Sequence, residues 1–163
     1  MISREQRLRS AIDSASARLS TAAGADDEQK MFDALGECVG WACALDALLE
    51  GTPGYKGQRN NDNEGQLLRG LRYVRNQIVH GDTVVDVTES AVAPTPRVII
   101  AGASSHSQII LPPTRIIWTF KVALSPLPAN SPSATLEPHY ADIAGKEAID
   151  VIRRAVSWLD RTL

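Results

Sequence analysis

The sequence predicts a mainly α-helical bundle with a small β-rich insert between the third and the last helix. Four segments carry apolar residues at the three- and four-residue spacing of an amphipathic helix. Between the third and fourth segments, runs of β-branched residues bounded by Pro, Gly and Ser are typical of strands. The length of 163 residues fits one domain, residues 1–163, with the insert at about residues 83–137.

Two helices are predicted in the first 50 residues. Ser3 and Gln6 have capping-box spacing, and the first helix follows them with apolar residues at Leu8, Ile12, Ala15 and Leu19. Asp26 or Asp27 can cap the second helix, and Gly51 ends it. The apolar side of the second helix carries Met31, Phe32, Leu35, Cys38, Val39, Ala42, Leu45 and Leu49.

Two further helices flank the insert. The third follows a predicted loop at residues 51–65 and stops at Gly81, and its core side carries Leu67, Leu71, Val74 and Ile78. The last begins after Pro138, with Gly145 as a weak point in its interior. Its apolar residues are Tyr140, Ala144, Val151, Ala155, Trp158 and Leu159.

The insert contains four predicted strands. They lie at residues 83–87, 97–101, 108–111 and 115–124. Pro112 and Pro113 favour an edge strand or a loop. Residues 125–138 contain four prolines and predict an irregular connection to the last helix.

Composition and charge exclude several classes of protein. The net charge of −2 gives no global attraction to nucleic acid, so a polyanion site requires a local patch. The charged N-terminus argues against a secretory signal, and the apolar stretches are too short to span a membrane. Cys38 and Cys43 point about 140° apart on a helix, and no metal-binding spacing such as CxxC or HExxH is present. We expect a cytoplasmic protein with no membrane partner, no metal and no cofactor.

The local patch lies in the third helix. Residues 65–81 contain Arg69, Arg72 and Arg75, no acidic residue, and a terminal histidine. At about 100° per residue, Arg69, Asn76 and His80 fall opposite the core stripe. A structural alternative is that His80 contacts the last carbonyls of the helix, just before the Gly81 stop.

The end of this helix resembles a family motif. It reads Arg75-Asn76-Gln77-Ile78-Val79-His80, which resembles the Arg-x4-His motif of HEPN-domain proteins, including a polar residue directly after the arginine. The flanking residues 71–74 and Gly81 are also similar to that family. The resemblance implies a HEPN-like up-down helical bundle, with the motif late in an internal helix. The β-rich insert departs from the plainest helical versions of the family.

The resemblance implies a metal-independent endoribonuclease that acts as a homodimer, with two motifs across a two-fold interface. His80 is then the base or acid, because an imidazole with a pKa of about 6.5 suits proton transfer from a 2′-hydroxyl. Arg75 holds the scissile phosphate through its permanent charge, and Asn76 orients His80 or the phosphate. Arg69 and Arg72 guide the RNA backbone.

Other sequence features are weaker. The glycine-rich segment at residues 51–57 lacks the order of a phosphate-binding loop and predicts a mobile loop. Tyr55 and Lys56 in this segment, and Arg59 just after it, are expected to meet the RNA. His139 precedes the predicted last helix and is expected to be part of its cap. The three tryptophans are expected to be core or interface anchors: Trp41, Trp118 and Trp158.

Three functions stay open from sequence. The resemblance favours RNA cleavage in a toxin or phage-defence setting, with an antitoxin or other regulatory protein as a further partner. HEPN toxins regulated by nucleotidyl transfer usually carry a tyrosine two positions after the histidine, and Asp82 stands there in this chain. The alternatives are a non-catalytic HEPN-like dimerisation or protein-interaction module, and nucleic-acid binding without cleavage.

Overall fold

The structure is a computed structural model and describes residues 2–24, 27–79, 83–91, 114–124 and 134–162. Helices make up most of these residues. This confirms the coarse prediction of a mainly helical protein with a small β-sheet. The helices are α1 (Arg4–Gly24), α2 (Glu28–Leu49), α3 (Tyr55–Asn61), α4 (Asn63–Val79), α5 (Glu137–Tyr140) and α6 (Ala148–Arg161). The strands are β1 (Val85–Ala91) and β2 (Thr114–Phe120), and a 3-10 helix spans Ala134–Leu136.

The first two helices begin at the predicted caps. The Ser3 Oγ accepts a hydrogen bond from the Gln6 backbone N–H at 3.1 Å, and the Gln6 Oε1 accepts one from the Ser3 N–H at 2.9 Å. At the start of α2, the Asp27 carboxylate accepts a hydrogen bond from the Lys30 N–H at 3.0 Å. The capping aspartate of α2 is therefore Asp27.

The predicted loop at residues 51–65 contains a helix, α3, so this prediction was wrong over residues 55–61. A seven-residue helix is too short to be stable alone, and tertiary contacts must hold it. Tyr55 and Arg59 lie one turn apart on α3 and are both buried against Asp46 of α2. Gly54, with a φ of +84°, turns the chain into α3.

The predicted last helix is two helices, which corrects the prediction of a continuous one. α5 ends at Tyr140, and α6 begins only at Ala148. Between them Gly145 adopts a φ of +71°, which an L side chain rarely adopts. The Gly145 N–H donates to the Phe120 carbonyl, and the Phe120 N–H donates to the Lys146 carbonyl. The break therefore adds a short pairing to the outer edge of β2.

The two strands are antiparallel neighbours. Val85 lies opposite Phe120, and Ala91 lies opposite Thr114. β1 extends beyond the predicted 83–87, whereas β2 ends four residues before the predicted 124. The predicted strands at 97–101 and 108–111 and the two prolines after them lie outside the described residues.

α4 lies at the centre of the bundle. It packs against α2, α3, α5 and α6. The predicted core residues Leu67, Leu71 and Val74 are buried, and Ile78 is partly buried. Its second side is buried as well, through Leu68, Gly70, Tyr73 and Gln77. Within the ranges the structure describes, no helix is both long and apolar enough to cross a membrane.

The contact between α4 and α5 depends on a glycine. A Cβ added to Gly70 would lie 2.8 Å from the His139 carbonyl oxygen and 3.2 Å from Ile143 Cδ1. Next to this contact, the rings of Tyr73 and Tyr140 pack with their centroids 5.5 Å apart. Gly70 therefore sets the distance at which α5 lies on α4.

We expect Gly70→Ala to lower the free energy of unfolding by about 1–3 kcal/mol, because the backbone of α5 must move to admit the new methyl group. Gly40→Ala in α2 is the matched control, since a Cβ there meets no atom within 4 Å. That control should stabilise the protein by up to about 1 kcal/mol through helix propensity. Urea denaturation of the two variants checks both signs, and equal effects would contradict the close packing at Gly70.

Candidate nucleic-acid interface

The family-like motif begins on the exposed side of the central helix. Arg75 is exposed and Asn76 is half-buried, and α4 ends three residues later at Val79. His80, together with Gly81 and Asp82, lies outside the described residues. The structure therefore gives positions for the first two predicted site residues and leaves the role of the histidine a prediction.

The exposed Arg75 side chain lies near the part of α2 that carries Cys43. Burial raises the pKa of the Cys43 thiol on α2 to about 12, and the charge of Asp46 acts in the same direction. Arg72 and Arg75 oppose this increase through their positive charges, so both guanidinium groups lie near this part of α2. In the described part of the chain, Arg75 forms no ion pair.

A buried carboxylate dominates the electrostatics beside the motif. Asp46 is fully buried in α2. Its Oδ1 accepts a hydrogen bond from the Tyr55 hydroxyl at 2.7 Å and from Arg59 Nη1 at 2.9 Å. Its Oδ2 lies 2.7 Å from Arg72 Nε. One carboxylate thus joins α2, α3 and α4.

Glu50, the residue that directly follows α2, lies at the outer edge of the same group. Its Oε1 is 2.7 Å from Arg59 Nη1 and 2.8 Å from Arg72 Nη1, and its Oε2 is 3.8 Å from Lys56 Nζ. Burial alone would raise the pKa of Glu50. The Arg59 hydrogen bond and the three positive charges outweigh burial and hold this pKa below its ordinary value. We call these residues the ion-pair cluster: Asp46, Glu50, Lys56, Arg59 and Arg72.

The cluster divides the predicted RNA-binding cations into two groups. Arg59, Arg72 and Lys56 pair with carboxylates of the same chain, and the Arg59 side chain is only 7 % exposed. Arg69 and Arg75 form no ion pair within residues 2–24, 27–79, 83–91, 114–124 and 134–162. Two carboxylates compensate most of the charge of the three cations in the first group, whereas no described carboxylate pairs with the second group.

The sequence contained a signal for this cluster. Asp46 lies four residues after Ala42 and three before Leu49, in the middle of the buried side of α2. A carboxylate in such a position must be paired with donors or a cation. Its partners could not be identified from the sequence, because Tyr55, Arg59 and Arg72 come from other helices.

A second group of polar residues lies at the contact of α4 and α5. His139 belongs to α5 itself, one residue before the helix ends, which corrects its predicted role as a cap of the last helix. The imidazole is half-buried, and the backbone carbonyl of His139 rests on Gly70, next to Arg69. Burial lowers the pKa of His139, the charge of Arg69 lowers it further, and Asp142 partly opposes them.

Two large apolar side chains are exposed on α4 and α2, the helices that carry Arg75 and Asp46. Val79, the last residue of α4, is 72 % exposed, and Trp41 on α2 is 41 % exposed. Trp118 and Trp158 are buried, as expected for core anchors. Trp41 is therefore the tryptophan that remains available for an interface.

Known proteins add no information on the site. Comparisons with protein-family models, with curated proteins and with solved structures gave no significant match. Among the described residues, no group of three or more His, Cys, Asp or Glu side chains could hold a metal ion.

Proposed function

We propose that the protein is a metal-independent endoribonuclease of HEPN type, which cleaves RNA by attack of the 2′-hydroxyl on the neighbouring phosphodiester. The observation that carries the proposal is the sequence motif Arg75-Asn76-x3-His80, whose Arg75 and Asn76 lie in the last turns of α4. Arg75 is exposed there and has no carboxylate partner in the described ranges.

The distribution of charge supports this choice. The ion-pair cluster neutralises Arg72 and Arg59 within the fold. Arg75 and Arg69 remain as the cations of α4 that can compensate an external anion. In the proposal, Arg75 contacts the scissile phosphate, Arg69 contacts the backbone, and Arg72 positions α4 against α2.

The proposed reaction is a transesterification. His80 takes the proton of the 2′-hydroxyl, the 2′-oxygen forms a bond to phosphorus, and the bond from phosphorus to the 5′-oxygen breaks. The 5′-oxygen takes a proton from an imidazolium or from water. The products are a 2′,3′-cyclic phosphate and a 5′-hydroxyl. Arg75 stabilises the negative charge that accumulates on the phosphate oxygens.

A second copy of the chain completes the proposed site. Arg75 and His80 diverge by about 140° on one ideal helix, so one copy presents them in different directions. A homodimer around α4 supplies each group from a different subunit. The strongly exposed Val79 supports this arrangement, because it lies between the two motif residues and offers an apolar contact.

The same exposed apolar residues favour the second candidate function, a non-catalytic dimerisation or protein-interaction module. Val79 and Trp41 would be anchors of such an interface. In this alternative, Arg75 and His80 are interface residues. An antitoxin or other regulatory protein would be a partner under either function, and the proposed setting is a cytoplasmic toxin or phage-defence system.

Purified protein tests the proposal directly. We expect it to cut a single-stranded RNA in buffer containing a chelator and to leave fragments with 2′,3′-cyclic phosphate and 5′-hydroxyl ends, measured by mass spectrometry. The same RNA with 2′-O-methyl groups should stay intact, because it lacks the attacking hydroxyl. An intact RNA substrate together with a stable homodimer would favour the interaction module.

A further inference from the structure

The half-buried polar residues at the contact of α4 and α5 have no role in the cleavage step. Arg69 is half-buried on α4, and it forms neither a hydrogen bond nor an ion pair with any described residue. A guanidinium that has lost part of its hydration without gaining a carboxylate is poorly compensated. Such a group binds an external anion at a lower desolvation cost than a fully hydrated one.

His139 adds a second donor at the same place. Gly70 directly follows Arg69 in the sequence. Because Gly70 has no side chain, the His139 backbone lies directly against it, which places His139 next to Arg69. Beside this contact, the rings of Tyr73 and Tyr140 pack against each other and hold α5 on α4. The charged groups around the imidazole are Arg69 from α4, Arg59 from α3 and Asp142 from the turn after α5.

These surroundings are more positive than negative. Arg59 is already paired with the carboxylates of the ion-pair cluster, and Asp142 is the one acidic group in the described ranges that acts on the imidazole. Arg69 is left without a carboxylate partner in the part of the chain that the structure describes. An anion bound here would compensate Arg69 and at the same time favour the protonated form of His139.

We propose that Arg69 and His139 together form a phosphate-binding subsite, which holds a phosphodiester of the RNA other than the one that is cleaved. The subsite rests on the proposed function for the identity of its ligand. Arg69 precedes Arg75 by six residues, which is about 9 Å along the helix axis. Six residues also turn the helix by about 120°, so the two arginines are separate contact points on different sides of α4, and an RNA strand that meets both crosses the helix obliquely.

The bound phosphate couples affinity to pH. Without ligand, the lowered pKa of His139 keeps the imidazole mostly neutral near pH 7. Binding of an anion raises this pKa, so the complex takes up a proton. Affinity therefore increases as the pH falls through the interval between the raised pKa of His139 in the complex and its lowered pKa in the free protein.

Two variants and a control test the subsite. His139→Gln and Arg69→Gln should each weaken the binding of a 2′-O-methyl RNA, which binds without being cut, by about tenfold at low salt. Arg69→Gln should also reduce the slope of log affinity against log salt by about 0.7, the value for one phosphate contact on a single strand. Arg153→Gln is the matched control, because Arg153 is exposed on α6 and pairs only with Asp150 among the described residues.

A second measurement does not need RNA. Inorganic phosphate should shift the His139 ring signals in the NMR spectrum of the wild-type protein and raise the pKa of this histidine, and Arg69→Gln should abolish both effects. Unchanged ring signals, or RNA binding by His139→Gln with the affinity and pH dependence of the wild type, would overturn the subsite.

The subsite and the nuclease can fail separately. Cleavage by the wild type, together with wild-type binding by both variants, would refute the subsite and leave the nuclease standing. Phosphate binding that depends on Arg69 and His139, in a protein that never cuts RNA, would support the subsite and refute the nuclease.

Discussion

His80→Ala is expected to lower kcat/KM for RNA cleavage by about 100- to 10,000-fold, the range that a general acid or base contributes. The melting temperature and the oligomeric state should stay close to those of the wild type, because the proposed role of His80 is in proton transfer. Initial rates on a fluorescent single-stranded RNA, with size-exclusion chromatography and a thermal melt of the same sample, measure all three quantities.

His106→Ala is the matched control for this prediction. His106 belongs to the insert and has no proposed part in the reaction, so its replacement should leave the rate unchanged. Arg75→Lys adds a second check, since lysine keeps the charge but loses the two-point contact with a phosphate. Loss of folding in His80→Ala would instead assign the histidine to the helix end, as the structural alternative holds.

Asp46→Ala is expected to lower the free energy of unfolding by about 3–5 kcal/mol, because it leaves buried positive charge without its partner. Arg59 and Arg72 both pair with this carboxylate, and the Tyr55 hydroxyl donates to it. The loss therefore loosens α3 and α4 from α2 at once. Urea denaturation, followed by circular dichroism, measures the change.

Asp33→Ala on the same helix is the control for Asp46→Ala. Asp33 is exposed and accepts a hydrogen bond from Gln29 four residues earlier. Its replacement should change stability by no more than about 0.5 kcal/mol. If Asp46→Ala cost no more than this control, the ion-pair cluster would not stabilise the fold as described.

The long helices could be predicted because their signals are local. The Ser3–Gln6 capping box and the apolar spacing around Leu71 depend on residues within a few turns of each other. The same holds for Gly145, where the predicted weak point became the break between α5 and α6. A local pattern indicates that a helix is weak, but the pairing of residues 145–147 with β2 decides that it breaks.

The site was harder to predict because its charges are set by contacts between helices. Arg72 was a candidate for RNA because it belongs to the segment of residues 65–81, which contains three arginines and no acidic residue. Asp46, which pairs with it, lies on α2, 26 positions earlier in the sequence. Likewise, the position of His139 beside Arg69 depends on the close contact of α5 with Gly70, which the sequence alone could not predict.

The pairing of Ala91 with Thr114 has a consequence for how this protein can change. The chain leaves the sheet and returns to it on adjacent strands, about 5 Å apart. Residues 92–113 therefore connect two points whose separation does not depend on the length of the connection. Doubling such a connection costs only about 0.6 kcal/mol. We therefore expect that a tag or a foreign peptide can replace residues 92–113 while the helices keep their places.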